Sequence, residues 1–300
     1  SGISLAKLTA SIILILALIS LLMDWAQVYS DSAVKLSVII NKGCITGIAV
    51  SIAYTIFYRL LYKEANTYFL SKITVQWVKS GLLSTVSLLL LIVGILEIQH
   101  QFLNRFPETN LHYIYLQLYV AFYITSLFWV LSVLYIKIDP YIRLAVPLLV
   151  IIVYFFNIPN CYKEEQSILA TGNYTIWFSG HWISILFLLL LIGDTVRYFR
   201  SNYASLQSLQ ISFTWASSAA IIALLSVEIR HLYIWLSYSG PSSLSYAENL
   251  YGKAGISIIW GLCSFVLIWL GMKYKFKSLR IVALVLFGAT LIKLFSFDIR

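Results

Sequence analysis

Ser87-Leu-Leu-Leu-Leu-Ile-Val-Gly-Ile-Leu96 runs without a charge into Glu97-Ile-Gln-His100. The chain does this again where Ser218-Ala-Ala-Ile-Ile-Ala-Leu-Leu-Ser-Val227 runs into Glu228-Ile-Arg-His231. Both runs are continuously apolar, whereas the strands of a membrane barrel alternate with period two over about ten residues. A run of this kind is read as a helix, because a helix satisfies its own backbone polar groups inside a bilayer. After each copy a polar stretch leads to a Leu-Tyr pair, Leu118-Tyr119 and Leu250-Tyr251. Each pair opens a second apolar run, then a basic turn (137–143 and 273–280), then a third apolar run. The expectation is an all-α, polytopic transmembrane helix bundle with an internal three-helix repeat. An even number of spans separates the starts of the two copies, so they run in the same direction across the membrane.

Composition supports the class. Sixty per cent of the 300 residues are hydrophobic and 11% are charged, against about half and about a quarter in soluble domains. The excess falls in runs long enough to cross a bilayer. Nine spans are expected, roughly 4–23, 43–62, 80–97, 115–136, 141–156, 174–193, 211–228, 251–272 and 279–296. The organisation expected from them is a two-span unit with an inner linker at 1–79 and a first repeat at 80–156. A connecting span with loops follows at 157–210, then a second repeat at 211–300. Pro107, Pro140, Pro159 and Pro241 are assigned to loops and Pro147 to a span. The polar stretches 98–114 and 229–250 are long enough for short interfacial helices, and 63–79 for an inner one.

The net charge of +9 accompanies no base-stacking or groove-reading element, so no nucleic-acid partner is expected. It is read instead as topology. With the N-terminus inside, thirteen Lys and Arg fall on the inner side and eight on the outer, as the positive-inside rule requires. The localisation expected is integral and multi-pass, in a bacterial inner membrane with the N-terminus cytoplasmic. Cys44, Cys161 and Cys263 are too few and too scattered for a disulfide framework.

Glu-x-x-His places two ligating side chains on one helical face. Two such motifs are half of a carboxylate-bridged dimetal site, which Asp24 and Glu248 would have to complete. The plainer alternative is that Glu97, His100, Glu228 and His231 mark where helices leave the hydrocarbon, and no metal or other cofactor is assigned. All four histidines, His100, His112, His181 and His231, fall on the outer side. Lys253 and Lys293 lie inside span ends, where a charge either lines a substrate path, with Glu228 or Asp298 as partner, or snorkels to the headgroups. Gln207, Gln210, Ser212, Thr214, Ser217 and Ser218 read as helix packing or as a polar pathway. Asp194 is expected to pair locally with Arg197. Walker, dinucleotide-binding, zinc-protease and nucleophile-elbow patterns are all missing from the sequence.

The segments Ala254-Gly-Ile-Ser-Ile-Ile-Trp260, Gly271, Lys273-Tyr-Lys-Phe-Lys, Leu279-Arg280 and Lys293-Leu-Phe-Ser-Phe-Asp298 occur in that order. They resemble the C-terminal repeat of a large multi-pass bacterial family of predicted membrane proteins of unknown function. Members carry a further span after that ending, so the resemblance implies a piece of a longer chain or a shortened relative. It also implies Trp260, Arg280, Lys293 and Asp298 as pattern positions, and it brings no activity.

The leading functional expectation is binding or translocation of an amphiphilic cell-envelope component, a lipid or lipid-linked sugar. An outer-facing polar pocket would use Glu97, His100, Glu228, Arg230, His231, Lys253 and Lys293. The partners are then membrane lipids. The alternatives are a structural subunit of a larger membrane assembly, with other membrane-protein subunits as partners, and a membrane-embedded transferase acting on a lipid-linked substrate.

Overall fold

The computed structural model describes residues 2–30, 35–62, 68–70, 73–136 and 138–298. Its long helices are α1 (Gly2–Val28), α2 (Lys42–Tyr62), α3 (Val75–Arg105), α4 (Leu111–Val133), α5 (Pro140–Thr171), α6 (Ser179–Ser201), α8 (Gln210–Ser237), α10 (Ile256–Lys273) and α11 (Lys277–Lys293). Two short helices, α7 (Tyr203–Leu206) and α9 (Pro241–Leu250), 3-10 turns at Thr175–Phe178 and Gln207–Leu209, and π-helical turns at Tyr251–Gly255 and Leu294–Asp298 complete the helical set among the described residues. Among the described residues nine helical stretches are long and apolar enough to cross a membrane. The protein is a polytopic all-α membrane protein.

Local chemistry sets the helix ends. Asp139 caps α5 by accepting the N–H groups of Tyr141 and Ile142 at 2.8 and 3.3 Å, and Pro140 occupies the first turn, where its missing N–H costs nothing. At the far end Gly172 takes the left-handed conformation, φ +71°, that closes a helix. Between these ends α5 runs for 32 residues, about 48 Å at 1.5 Å per residue. It passes through Pro147 and also through Pro159. The expected loop at 157–173 is therefore helix as far as Thr171. A proline inside a long helix forfeits one backbone hydrogen bond, which neighbouring groups can make good in a membrane protein.

Two other expected loops are shorter than the sequence implied. α3 continues to Arg105 instead of ending near 97, and α8 continues to Ser237. The segment 63–79, expected to hold an interfacial helix, has instead a small antiparallel hairpin, Tyr68–Leu70 with Ile73–Thr74, and then the start of α3. Residues 63–67, 71 and 72 of that segment lie outside the described residues.

The chain divides into two compact units. The first comprises Ser1–Lys137, Val153–Glu164 and Trp177–Leu188, and the second Ile138–Ile152, Glu165–Ile176 and Leu189–Arg300. In the first unit α1 packs on α2, α2 on α3 and α3 on α4. Gly94 lets the Tyr119 ring lie against α3, since a Cβ there would meet it at 2.1 Å. In the second unit α10 and α11 pack on each other and on α8. Gly271 lies so close to the Arg280 backbone that a Cβ would meet its nitrogen at 3.0 Å.

The two expected repeats share some local features. Tyr119 donates to the Leu90 carbonyl of α3 at 2.8 Å, and Tyr251 donates to the Ser226 carbonyl of α8. A residue just before the first basic turn, Tyr135 (φ 53°), and one within the second, Lys275 (φ 54°), lie in the left-handed region. The next N–H then reaches back five residues, Ile136 to Leu131 and Phe276 to Gly271. Register does not carry over. Leu90 stands seven residues before Glu97, whereas Ser226 stands two before Glu228.

Candidate functional site

In the first unit Glu97, buried at the C-terminal part of α3, is a carboxylate held by neutral donors. Its Oε1 accepts the Ile39 N–H at 2.9 Å and Gln101 Nε2 at 3.0 Å. Its Oε2 accepts Asn41 Nδ2 at 2.7 Å and the Tyr29 hydroxyl at 3.0 Å. Asn41 Oδ1 in turn accepts the Cys44 N–H, which caps α2. Gln101 also donates to the Leu36 carbonyl at 3.2 Å, so the 35–41 connection is tied to the end of α3. Burial, then the neighbouring Glu97 charge, push the Tyr29 phenol well above its usual range, which keeps it a donor. The strap is strained. Ile39 has φ +64°, a conformation disfavoured for a β-branched residue. His100, also buried, lies 3.2 Å from Asn104 Nδ2 through its Nε2 and meets the Tyr29 ring edge-on.

In the second unit a carboxylate is answered by charge. Glu165 is fully buried on the extension of α5. Its Oε2 accepts Arg230 Nη1 at 3.0 Å, and its Oε1 lies 2.9 Å from Nδ1 of the equally buried His231. Arg230 Nη2 also pairs with Glu248 Oε1 of α9, which accepts Gln166 Nε2 at 3.0 Å. The chain of groups leads from two sealed side chains to Glu248, whose side chain is 34% exposed. A guanidinium shared by two carboxylates is a strong charge-assisted arrangement.

The remaining candidates scatter along the second unit. Lys293 Nζ donates to the Lys253 carbonyl at 2.9 Å and to Ser257 Oγ at 3.0 Å. The Lys253 side chain is exposed on the π-helical turn, and Glu228 is half-buried. Trp260 Nε1 donates to Ser226 Oγ at 3.1 Å. Arg280 is exposed at the start of α11. The side chain of Asp298 lies outside the described residues. Asp24, a proposed metal-site partner, pairs with Lys42 at 2.7 Å, and Glu248 with Arg230. No group of three or more His, Cys, Asp or Glu suited to a metal ion occurs among the described residues.

Sequence reading missed three buried partners. Glu164 and Glu165 fall between the expected spans 141–156 and 174–193, yet they are 1% and 0% exposed, and Glu164 accepts the Asn110 N–H at 2.6 Å within the first unit. Asp194 pairs with the buried Arg143 of α5 instead of Arg197. The Asp-Pro start and the Gly172 stop were the available signals that 140–171 is one helix. Two of the hydroxyls early in α8 bond back to their own helix, Thr214 to the Gln210 carbonyl and Ser217 to that of Phe213, each at 2.7 Å.

At the opposite end of α5 and α8 from Glu165, a cavity of about 330 Å³ opens between α5, α6 and α8. Its walls include Tyr141, Leu144, Pro147, Leu148 and Ile151 of α5, Ile192, Thr195 and Val196 of α6, and Phe213, Ala216, Ser217 and Ala220 of α8. Thr195 bonds its hydroxyl to the Leu191 carbonyl at 2.7 Å, as Ser217 does to Phe213, so both present their carbon faces. The crevice is apolar and within the size range of small-molecule sites. The Arg143–Asp194 pair stands one residue along each helix from Leu144 and Thr195 of its wall.

A family model described as "Predicted membrane protein (DUF2339)" matches residues 2–300. No curated protein and no solved structure matches the chain.

Proposed function

We propose, for a chain that belongs to the family of predicted membrane proteins designated DUF2339, that it binds or moves an amphiphilic membrane component, a lipid or a lipid-linked sugar. The crevice between α5, α6 and α8 takes the hydrocarbon part. One observation carries this reading: a cavity of about 330 Å³ whose walls are apolar although Tyr141, Thr195 and Ser217 contribute to them. A crevice of that character among helices that cross a bilayer is filled by hydrocarbon, because only contact with apolar atoms satisfies its lining. The reading moves the binding surface away from the charged residues singled out by sequence. Arg230 is answered by Glu165 and Glu248, and Lys293 donates to Lys253 and Ser257. With the N-terminus inside, as the positive-inside rule favours, the crevice lies toward the inner side and the Glu165 cluster toward the outer.

Native mass spectrometry of the gently solubilised protein tests it. A lipid or glycolipid adduct is expected on the wild type and is expected to be lost in Ala216→Phe, which fills the crevice. Retention of the adduct at wild-type occupancy in a folded Ala216→Phe protein would sink the reading. The internal pairing of Glu165, Arg230 and Glu248 favours a second one, a structural subunit in which these charges fix helix ends. A stoichiometric partner chain with no lipid adduct in the same experiment decides for it.

A further inference from the structure

We infer that the amphiphile in the crevice carries an anionic, phosphate-bearing headgroup, and that Arg197 and Arg200 hold it. This rests on the crevice reading and adds the chemistry of the polar end. α6 carries Gly193, Val196, Arg197, Arg200 and Ser201 at helical spacings of three and four, and these five residues line an open depression. Val196 is a wall of both the depression and the apolar crevice. The two spaces therefore adjoin, one hydrocarbon-lined and one basic.

The two guanidiniums are available. Both side chains are exposed. No hydrogen bond, ion pair or ring contact involves either one among the described residues. Asp194, the nearest acid in sequence, is directed to Arg143. This sets Arg197 and Arg200 apart from the other arginines of the unit that sit near acids, since Arg143 and Arg230 are both paired. Residues three apart on a helix are neighbours, so two planar forks stand on one face within reach of a single phosphate. Guanidinium recognises phosphate through paired N–H donors. At Gly193 even an added Cβ would meet nothing within 4 Å, which leaves that side of the depression open.

One effect opposes an anion here. The depression lies at the C-terminal end of α6, where the helix dipole is negative. That field falls off within the last turn and is partial, whereas two full cationic charges face the site with no carboxylate between them. Basic residues at the ends of spanning helices, beside an apolar inter-helix space, match the arrangement by which membrane proteins take anionic lipid headgroups. An anionic glycerophospholipid meets both requirements with one molecule.

The experiment is a native mass-spectrometric titration of the solubilised full chain. The probes are phosphatidylglycerol and phosphatidylcholine with identical acyl chains. Phosphatidylglycerol is expected to bind about tenfold more tightly, a difference of one charge-assisted contact or more. The Arg197→Gln/Arg200→Gln double variant is expected to bind both lipids equally, at or below the wild-type phosphatidylcholine level. A preference for phosphatidylglycerol that survives in the double variant overturns the headgroup assignment and leaves the crevice reading standing. Loss of preference together with unchanged binding in Ala216→Phe overturns the crevice reading instead. Displacement of phosphatidylglycerol by millimolar inorganic phosphate would show a simple anion site, which also overturns the proposal. Unaltered elution of the double variant as a single species checks its fold.

Discussion

Glu97 and Glu165 are both buried carboxylates near the C-terminal parts of long helices, 7% and 0% exposed, and they are held by different means. Glu97 is surrounded by four neutral donors, one from backbone and three from side chains. Glu165 faces a guanidinium and an imidazole, and the guanidinium is shared with a second carboxylate. Neutral donors place dipoles around one charge, so losing any single donor leaves the others. A charge pair concentrates the compensation in one partner, and removing that partner leaves the remaining charge buried without it. Redundancy against concentration is what separates the two sites, and substitutions can measure it.

The largest effect is expected at the concentrated site. Arg230→Met removes the cation between Glu165 and Glu248 while keeping length and apolar bulk. The expected loss is about 3–5 kcal/mol of unfolding free energy, the range for breaking a buried pair, measured by denaturation in mixed micelles. The Glu165→Leu/Arg230→Met double variant should recover most of that loss, because a well-packed apolar replacement needs no compensation. A single-variant loss below about 1 kcal/mol, typical of exposed pairs, would put both carboxylates in one class.

Glu97→Gln comes next. The amide presents an NH2 where the carboxylate presents an acceptor, so at least one of the four donors meets another donor. The expected cost is about 1–3 kcal/mol, the penalty for an unsatisfied buried group, with Tyr29→Phe costing about 1 kcal/mol in the same assay. If Glu97→Gln costs more than Arg230→Met, donors in number do not give redundancy, and the contrast fails.

Ile39→Gly sharpens the contrast in the other direction. The Ile39 N–H that Glu97 accepts is kept, and the strain of a β-branched residue at φ +64° is released. A gain of about 1 kcal/mol is expected, although added freedom in the unfolded chain offsets part of it. A loss instead would mean that the exposed Ile39 side chain contributes contacts in the membrane that outweigh its backbone cost.

These sites were unequally legible in the sequence. The class of the fold followed from run length and charge scarcity, because the bilayer imposes both on any spanning helix. Glu97 stood out because it ends an apolar run. Its donors did not, since Tyr29, Ile39 and Asn41 come from a different connection that only folding brings to α3. Glu165 was hidden by its neighbours: Asn157, Pro159, Asn160, Lys163, Glu164 and Gln166 make 157–166 read as a polar loop. The helix there is stabilised by its continuity with α5 and by burial, which local polarity does not report. The apolar crevice could not be read at all. Its walls come from three helices, and Leu, Ile, Ala and Pro look the same in sequence whether they fill a core or line a gap.

The smallest effect concerns Trp260, a position singled out by family pattern alone. Its indole N–H donates to Ser226 Oγ at 3.1 Å, linking α10 to α8. Ser226 Oγ is at the same time bonded to the Ile222 carbonyl at 2.8 Å, and so keeps a partner when the indole is removed. Cross-helix hydrogen bonds in membranes average about 0.6 kcal/mol, because the separated helices also find partners. Trp260→Phe combined with Ser226→Ala in a double-mutant cycle should therefore give a coupling near 0.6 kcal/mol, far below the Arg230–Glu165 coupling. A coupling above about 2 kcal/mol would mean that a neutral lateral hydrogen bond in this unit is as concentrated a linkage as the buried charges. The division between the two carboxylate sites would then describe their burial and not their chemistry.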